Sequence, residues 1–82
     1  MVTIVAIANT GNFEFVAVAH GDNLGSARYI AERKLLTAWD EHVRQTGADD
    51  SLMGQMIADG DVNFMSTSTS AAAWRDGSII AV

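Results

Sequence analysis

Two dense apolar runs, residues 2 to 8 and 13 to 20, flank Asn9-Thr10-Gly11-Asn12 at the start of the chain. Both are rich in Val, Ile and Phe and lack Pro, and the residues between them suit a tight turn, so the pattern predicts a β-hairpin. With Ala8 opposite Phe13, one face collects Val2, Ile4, Ala6, Ala8, Phe13, Phe15, Ala17 and Ala19, all apolar. The other face carries Thr3, Val5, Ile7, Glu14, Val16, Val18 and His20. A three-residue loop with a left-handed Gly11 shifts this register by one and mixes the two sets, so the pattern favours the first pairing. The second face is half apolar. Its Val5, Ile7, Val16 and Val18 are expected to form an exposed patch that joins a second copy of the chain.

The period then changes. His20-Gly21-Asp22-Asn23-Leu24-Gly25-Ser26 is turn-forming, with Asp22, Asn23 or Ser26 as cap of a helix from Leu24 to Thr46 that stops at Gly47. Ala27, Ala31, Leu35, Ala38 and His42 form one stripe at helical spacing, and Leu36, Trp39 and Val43 form a second. Arg28 and Glu32 stand at i and i+4. Asp49, Asp50 and Ser51 open a short helix over 52–58, closed by Gly60, with Leu52, Met53, Met56 and Ile57 as its apolar face. From Val62 the chain reads as strand again. Arg75-Asp76-Gly77-Ser78 predicts a turn that pairs Trp74 with Ile79 in a second hairpin, although Ala71-Ala72-Ala73 also suits a helical turn. The order β-β-α-α-β-β predicts a two-layer α+β sandwich, an antiparallel sheet of about four strands against one long and one short helix.

Composition narrows the class. The chain of 82 residues is expected to form one domain, which buries about 60–65 % of its unfolded surface. It contains no cysteine, which removes disulfides and thiolate metal sites and suits a cytoplasmic setting. Ala6-Ile7-Ala8 has the form of a cleavage site, but no basic region precedes it, so the start reads as mature protein. No apolar run approaches the roughly 18 residues of a membrane helix. Ten acidic against five basic side chains give a net charge of -5, a surface that repels phosphate backbones and disfavours direct nucleic-acid binding.

Candidate chemistry is sparse. His20, with Asp22 two residues on, has the makings of a general-base pair, but no nucleophile or oxyanion pattern lies nearby, and the plain reading is a strand-end histidine. His42 falls on the apolar stripe, where packing explains it as well as a ligand role does. Asp59-Gly60-Asp61-Val62-Asn63 begins like a calcium loop, yet Phe64 stands where that loop needs glycine and Ser70 where it needs its last acid. The turn from Gly21 to Ser26 resembles an anion cradle but reads better as a helix cap. Ser66 to Ser70 supply hydroxyls without an activating pattern and suit a strand's polar face. No metal or organic cofactor is expected. What remains is a set of acids, Asp40 and Glu41 on the long helix and Asp49, Asp50, Asp59 and Asp61 around the short one, suited to ordinary solubility or to docking a basic protein surface. Trp39 and Trp74 are core residues or anchors of such a face.

A short, cysteine-free, acidic α+β chain without a catalytic motif resembles, in outline and not by any motif, the small inhibitors encoded by phages, above all the anti-CRISPR proteins. The resemblance implies a non-enzymatic inhibitor that binds a CRISPR effector complex in the host cytoplasm and obstructs its positively charged surface. Two other classes stand beside it: a homo-oligomeric assembly module, joined as a homodimer through the hairpin's mixed face, and a small enzyme using His20 or His42.

Overall fold

The computed structural model describes residues 1–66 and 74–82; the expected strand beyond Ser66 and the alanine run lie outside them. Two strands, β1 (Val2–Asn9) and β2 (Phe13–Gly21), are followed by helices α1 (Leu24–Thr46) and α2 (Leu52–Asp59), then by β3 (Asn63–Ser66) and β4 (Ile79–Ala81). The strands form one antiparallel sheet in the order β3-β1-β2-β4. The α+β class and the order of elements are those expected from the sequence. Among the described residues no helix is long and apolar enough to cross a membrane.

The hairpin keeps the expected faces but pairs two residues further along, with Ala8 opposite Phe15 and Asn9 opposite Glu14. Thr10 donates its amide to the Phe13 carbonyl at 2.9 Å, which leaves Gly11 and Asn12 as the loop. Gly11 has φ +100, and among the described residues only glycines have a positive φ, so Asn12 does not, a combination that suits a type II′ turn, whose twist matches the strands. A shift of two preserves the side-chain parity, so the apolar set stays on one face.

That face is where α1 lies. Asn23 caps the helix, its Oδ1 accepting the Ser26 amide at 2.9 Å, and Gly47 ends it with φ 70 and an amide bonded to the Val43 carbonyl. Ala27, Ala31, Leu35 and Trp39 are buried against Ile4, Ala6, Ala8, Phe15, Ala17 and Ala19. Alanine on both sides lets helix and sheet approach closely, and Met53 and Met56 of α2 with Val62 close the end of the core. Trp39, expected on the second stripe, belongs to the first; Ala38 and His42 are half-buried.

The sheet's other face corrects an expectation. Val5, Val16 and Val18 are 0, 2 and 8 % exposed, in a second cluster with Ile7, Met65 and Trp74. The patch assigned to self-association is therefore covered by its own chain, because Met65 sits beside Val5 in the β1–β3 ladder and Trp74 returns onto the same face. The second hairpin is likewise replaced. Arg75 to Ser78 do form a turn, but Gly77 and Ser78 bond to Val16, and β4 runs on along β2 with Ile79 opposite Phe15. Trp74 thus loses a strand partner and gains burial.

Candidate functional site

His20 ends β2 exposed, its Nδ1 2.8 Å from Thr3 Oγ1 across the ladder. Its polar partner is this threonine and not Asp22. His42 stands in an aromatic box: edge-on to Phe13 and Phe15, with ring centres 5.1 and 5.4 Å away, and tilted over Trp39 at 5.2 Å. Trp39 is fixed in turn by Nε1 donating to the Asp49 carbonyl at 2.9 Å. The box lies beside a hollow of about 270 Å³ bordered by Asn12, Phe13, Thr46 and Leu52. Such edge-to-face contacts stabilise packing. Among the described residues no three His, Asp or Glu side chains converge.

The two loops that looked like ligand sites terminate helices. At residues 21–26 the Ser26 amide is taken by Asn23, and a side chain on Gly21 would meet the Ala27 backbone nitrogen at 2.5 Å. At 59–63, Gly60 (φ 77) donates its amide to the Ile57 carbonyl and Asp61 donates to Met56, the paired bonds of a Schellman turn. The alternating acids of that segment are the polar flanks of this stop.

Asp40, Glu41, Asp49, Asp50, Asp59 and Asp61 are all exposed. The structure divides them. Asp40 and Glu41 lie in the C-terminal half of α1, whereas Asp49 and Asp50 precede α2, Asp59 is its last residue and Asp61 follows it. Asp49 also has a structural role, since its Oδ1 accepts the Ser51 hydroxyl at 2.8 Å and the Ser51 amide at 3.0 Å. Those two bonds, the hydroxyl foremost, hold its carboxyl below the ordinary value against a small opposing effect of burial.

Sequence reasoning missed a third region. Along the flank of α1 that faces the β2 edge runs a groove of about 500 Å³, with Tyr29, Ile30, Arg33, Thr37 and Glu41 on the helix side and Gly77 and Ser78 on the other. Lys34 and Asp76 bridge it at 2.7 Å. Asp76 Oδ1 accepts the Val18 amide at 2.9 Å and Lys34 Nζ donates to the Val18 carbonyl at 2.8 Å, so one ion pair satisfies the backbone of β2 where β4 no longer reaches it. No local pattern announces a contact between residues 42 apart in the chain.

Burial pushes the Asp76 carboxyl up, but Lys34 and the amides of Val18 and Gly77 outweigh it and hold the group below its ordinary value of 3.8. A carboxyl lowered in the fold contributes stability that is complete above the unfolded value and lost as pH falls through the folded one. Both side chains are more than a third exposed, which keeps that contribution small and local. Asp76→Ala is accordingly expected to lower amide-exchange protection at Val18 about tenfold at neutral pH, with little change at Ala6. Unchanged exchange at Val18 would refute the clasp.

Compared with protein-family models, curated proteins and solved structures, the chain matches none.

Proposed function

We propose that this protein is a non-enzymatic inhibitor that binds a basic protein surface through the acids around α2. The supporting observation is that Asp49, Asp50, Asp59 and Asp61 are all exposed at the two ends of one eight-residue helix. Those ends are about 12 Å apart at 1.5 Å per residue, close enough for one basic surface to meet both pairs. Met53 and Met56 anchor α2 in the core, so it presents the carboxylates from a fixed base.

In its particular form the proposal is a phage-encoded, anti-CRISPR-like inhibitor acting in the host cytoplasm, with a CRISPR effector complex as partner. A net charge of -5 favours steric obstruction over mimicry of a duplex, which carries one charge per about 1.7 Å of axis. Complementary charge chiefly raises the association rate, so reversal at the α2 rim should act there.

The test is the inhibition of guide-directed DNA binding by a purified effector, together with association kinetics of the inhibitor at low and high salt. Asp59→Lys with Asp61→Lys is expected to slow association about tenfold and to weaken its salt dependence, with folding retained. Asp50→Lys should act in the same direction; Asp49 is a poorer choice because its carboxyl serves Ser51. Folded His20→Ala should inhibit as the unmodified protein does. Reversals without effect, beside a folded His20→Ala that has lost activity, would replace this reading with the enzymatic one.

A further inference from the structure

We propose that the hollow beside the aromatic box receives one arginine side chain of a partner protein. A partner with a basic surface is the functional reading on which this occupant rests, and the hollow is the point at which it is anchored. The hairpin loop, the last turns of α1 and the chain leading into α2 border about 270 Å³, with Phe13, His42, Thr46, Asp49 and Leu52 on its walls. That volume is below the roughly 300–1,000 Å³ of sites that take whole small molecules, and it suits a single side chain.

Rings and acceptors together select the guanidinium. Phe13 and His42, both half-buried, border the hollow, backed by buried Trp39. Aromatic faces attract cations, and arginine most often, because its flat and weakly hydrated group stacks on them. The hydroxyls on the rim have already given up their protons: Thr10 Oγ1 donates to the Phe13 carbonyl at 3.2 Å and Thr46 Oγ1 to the His42 carbonyl at 2.8 Å. Toward a ligand they offer only lone pairs. Asp49 adds a carboxylate whose Oδ1 serves Ser51, which leaves Oδ2 for a ligand. A guanidinium has five N–H donors and no acceptor, the complement of such a rim. A lysine ammonium has three donors, holds its water more tightly and cannot stack flat.

No cation of the described chain takes this place. Apart from His42, the one ionisable side chain on the border is Asp49. Arg44 is the nearest arginine in sequence, but at 3.6 residues per turn it lies about 200° around α1 from both His42 and Thr46, on the side of Asp40 and Glu41. The hollow also stands at the end of α2 that carries Asp49 and Asp50, so an arginine seated there brings the surface around it to the acidic rim.

The probes are N-acetyl-L-arginine amide and its uncharged counterpart N-acetyl-L-citrulline amide, titrated into the full chain at neutral pH and low salt and followed by nuclear magnetic resonance. The arginine probe is expected to saturate with a Kd of about 1 mM, shifting the signals of Phe13, Leu52 and the Trp39 indole N–H, which is bonded to the Asp49 carbonyl. Citrulline has the same shape without the charge and should bind at least about tenfold more weakly. Asp49→Asn keeps an oxygen for Ser51 and should weaken the arginine probe about threefold to tenfold, as should Phe13→Leu, which removes a ring. Asp61→Asn, beyond the other end of α2, should leave binding unchanged. Far-UV circular dichroism checks that every variant is folded. No saturable shift by about 50 mM, equal binding of the two probes, shifts centred elsewhere on the surface, tighter binding of N-acetyl-L-lysine amide, or a folded Asp49→Asn that binds as before would overturn the proposal. The contrast between the probes supports the site even where no effector is inhibited, and its absence overturns the site even where reversal of Asp59 and Asp61 slows association.

Discussion

Phe15→Ala is expected to cost about 3–5 kcal/mol, a large part of the roughly 5–15 kcal/mol that holds a small domain folded. Phe15 is 1 % exposed, and its ring lies edge-on to Trp39 at 5.4 Å and to His42 at the same distance. Truncation removes the apolar transfer energy, both aromatic contacts and the wall against which Leu35 and Ala17 pack. The neighbours collapse little, because Trp39 is held by its Nε1 bond to the Asp49 carbonyl and the adjoining Ala8 and Ala17 have only methyl groups to offer. Urea denaturation followed by tryptophan fluorescence measures the loss, since Trp39 reports directly on the cavity. Phe15→Leu, which keeps most of the volume, should cost markedly less. A loss below about 1 kcal/mol for the alanine variant would mean that the aromatic box is not the centre of the core.

Gly21→Ala is expected to destabilise the protein by about 1–3 kcal/mol or more, although it adds one methyl group. That methyl would stand 2.5 Å from the Ala27 nitrogen and 2.9 Å from its Cα, and both are backbone atoms in the first turn of α1. They cannot yield as the end of a side chain can. Relief means lifting the helix start from the sheet, and with it the Asn23–Ser26 cap. Denaturant midpoints together with amide exchange at Ser26 and Ala27 test this, and the loss of protection should concentrate at that turn. Gly54→Ala is the informative control, because nothing lies within 4 Å of a side chain there and the helical position should gain about 0.5–1 kcal/mol. Equal effects at the two glycines would remove the steric account of Gly21.

Much of this architecture was legible in the residues. The Val and Ile runs set two strands, the alanines, Leu35 and Gly47 set the long helix, and Asp49 to Gly60 set the short one. The faces of the hairpin were legible too, because parity survives a register shift of two. The shift itself was not: only the closing bond from Thr10 to Phe13 shows the loop to be Gly11-Asn12 and not the whole polar stretch. For the candidate sites the yield was smaller. Exposure of the six acids followed from their places at helix ends and on an outer face. The disappearance of the Val5, Val16 and Val18 patch did not, because Trp74 covers it from a different part of the chain.

What the sequence by itself determined is what a short window contains: the periods of two and 3.6 that assign faces, and the caps that start and stop helices. Those depend on neighbours a few residues away. Tertiary structure decided which edge β4 would extend, that Asp76 and Lys34 would meet across Val18, and which of two apolar faces would be sheltered by the returning chain. The contacts among Val18, Lys34 and Asp76 alone join residues 16, 42 and 58 positions apart. Their selection rests on satisfying exposed backbone groups and covering apolar surface, two requirements that come into existence only once the sheet has formed.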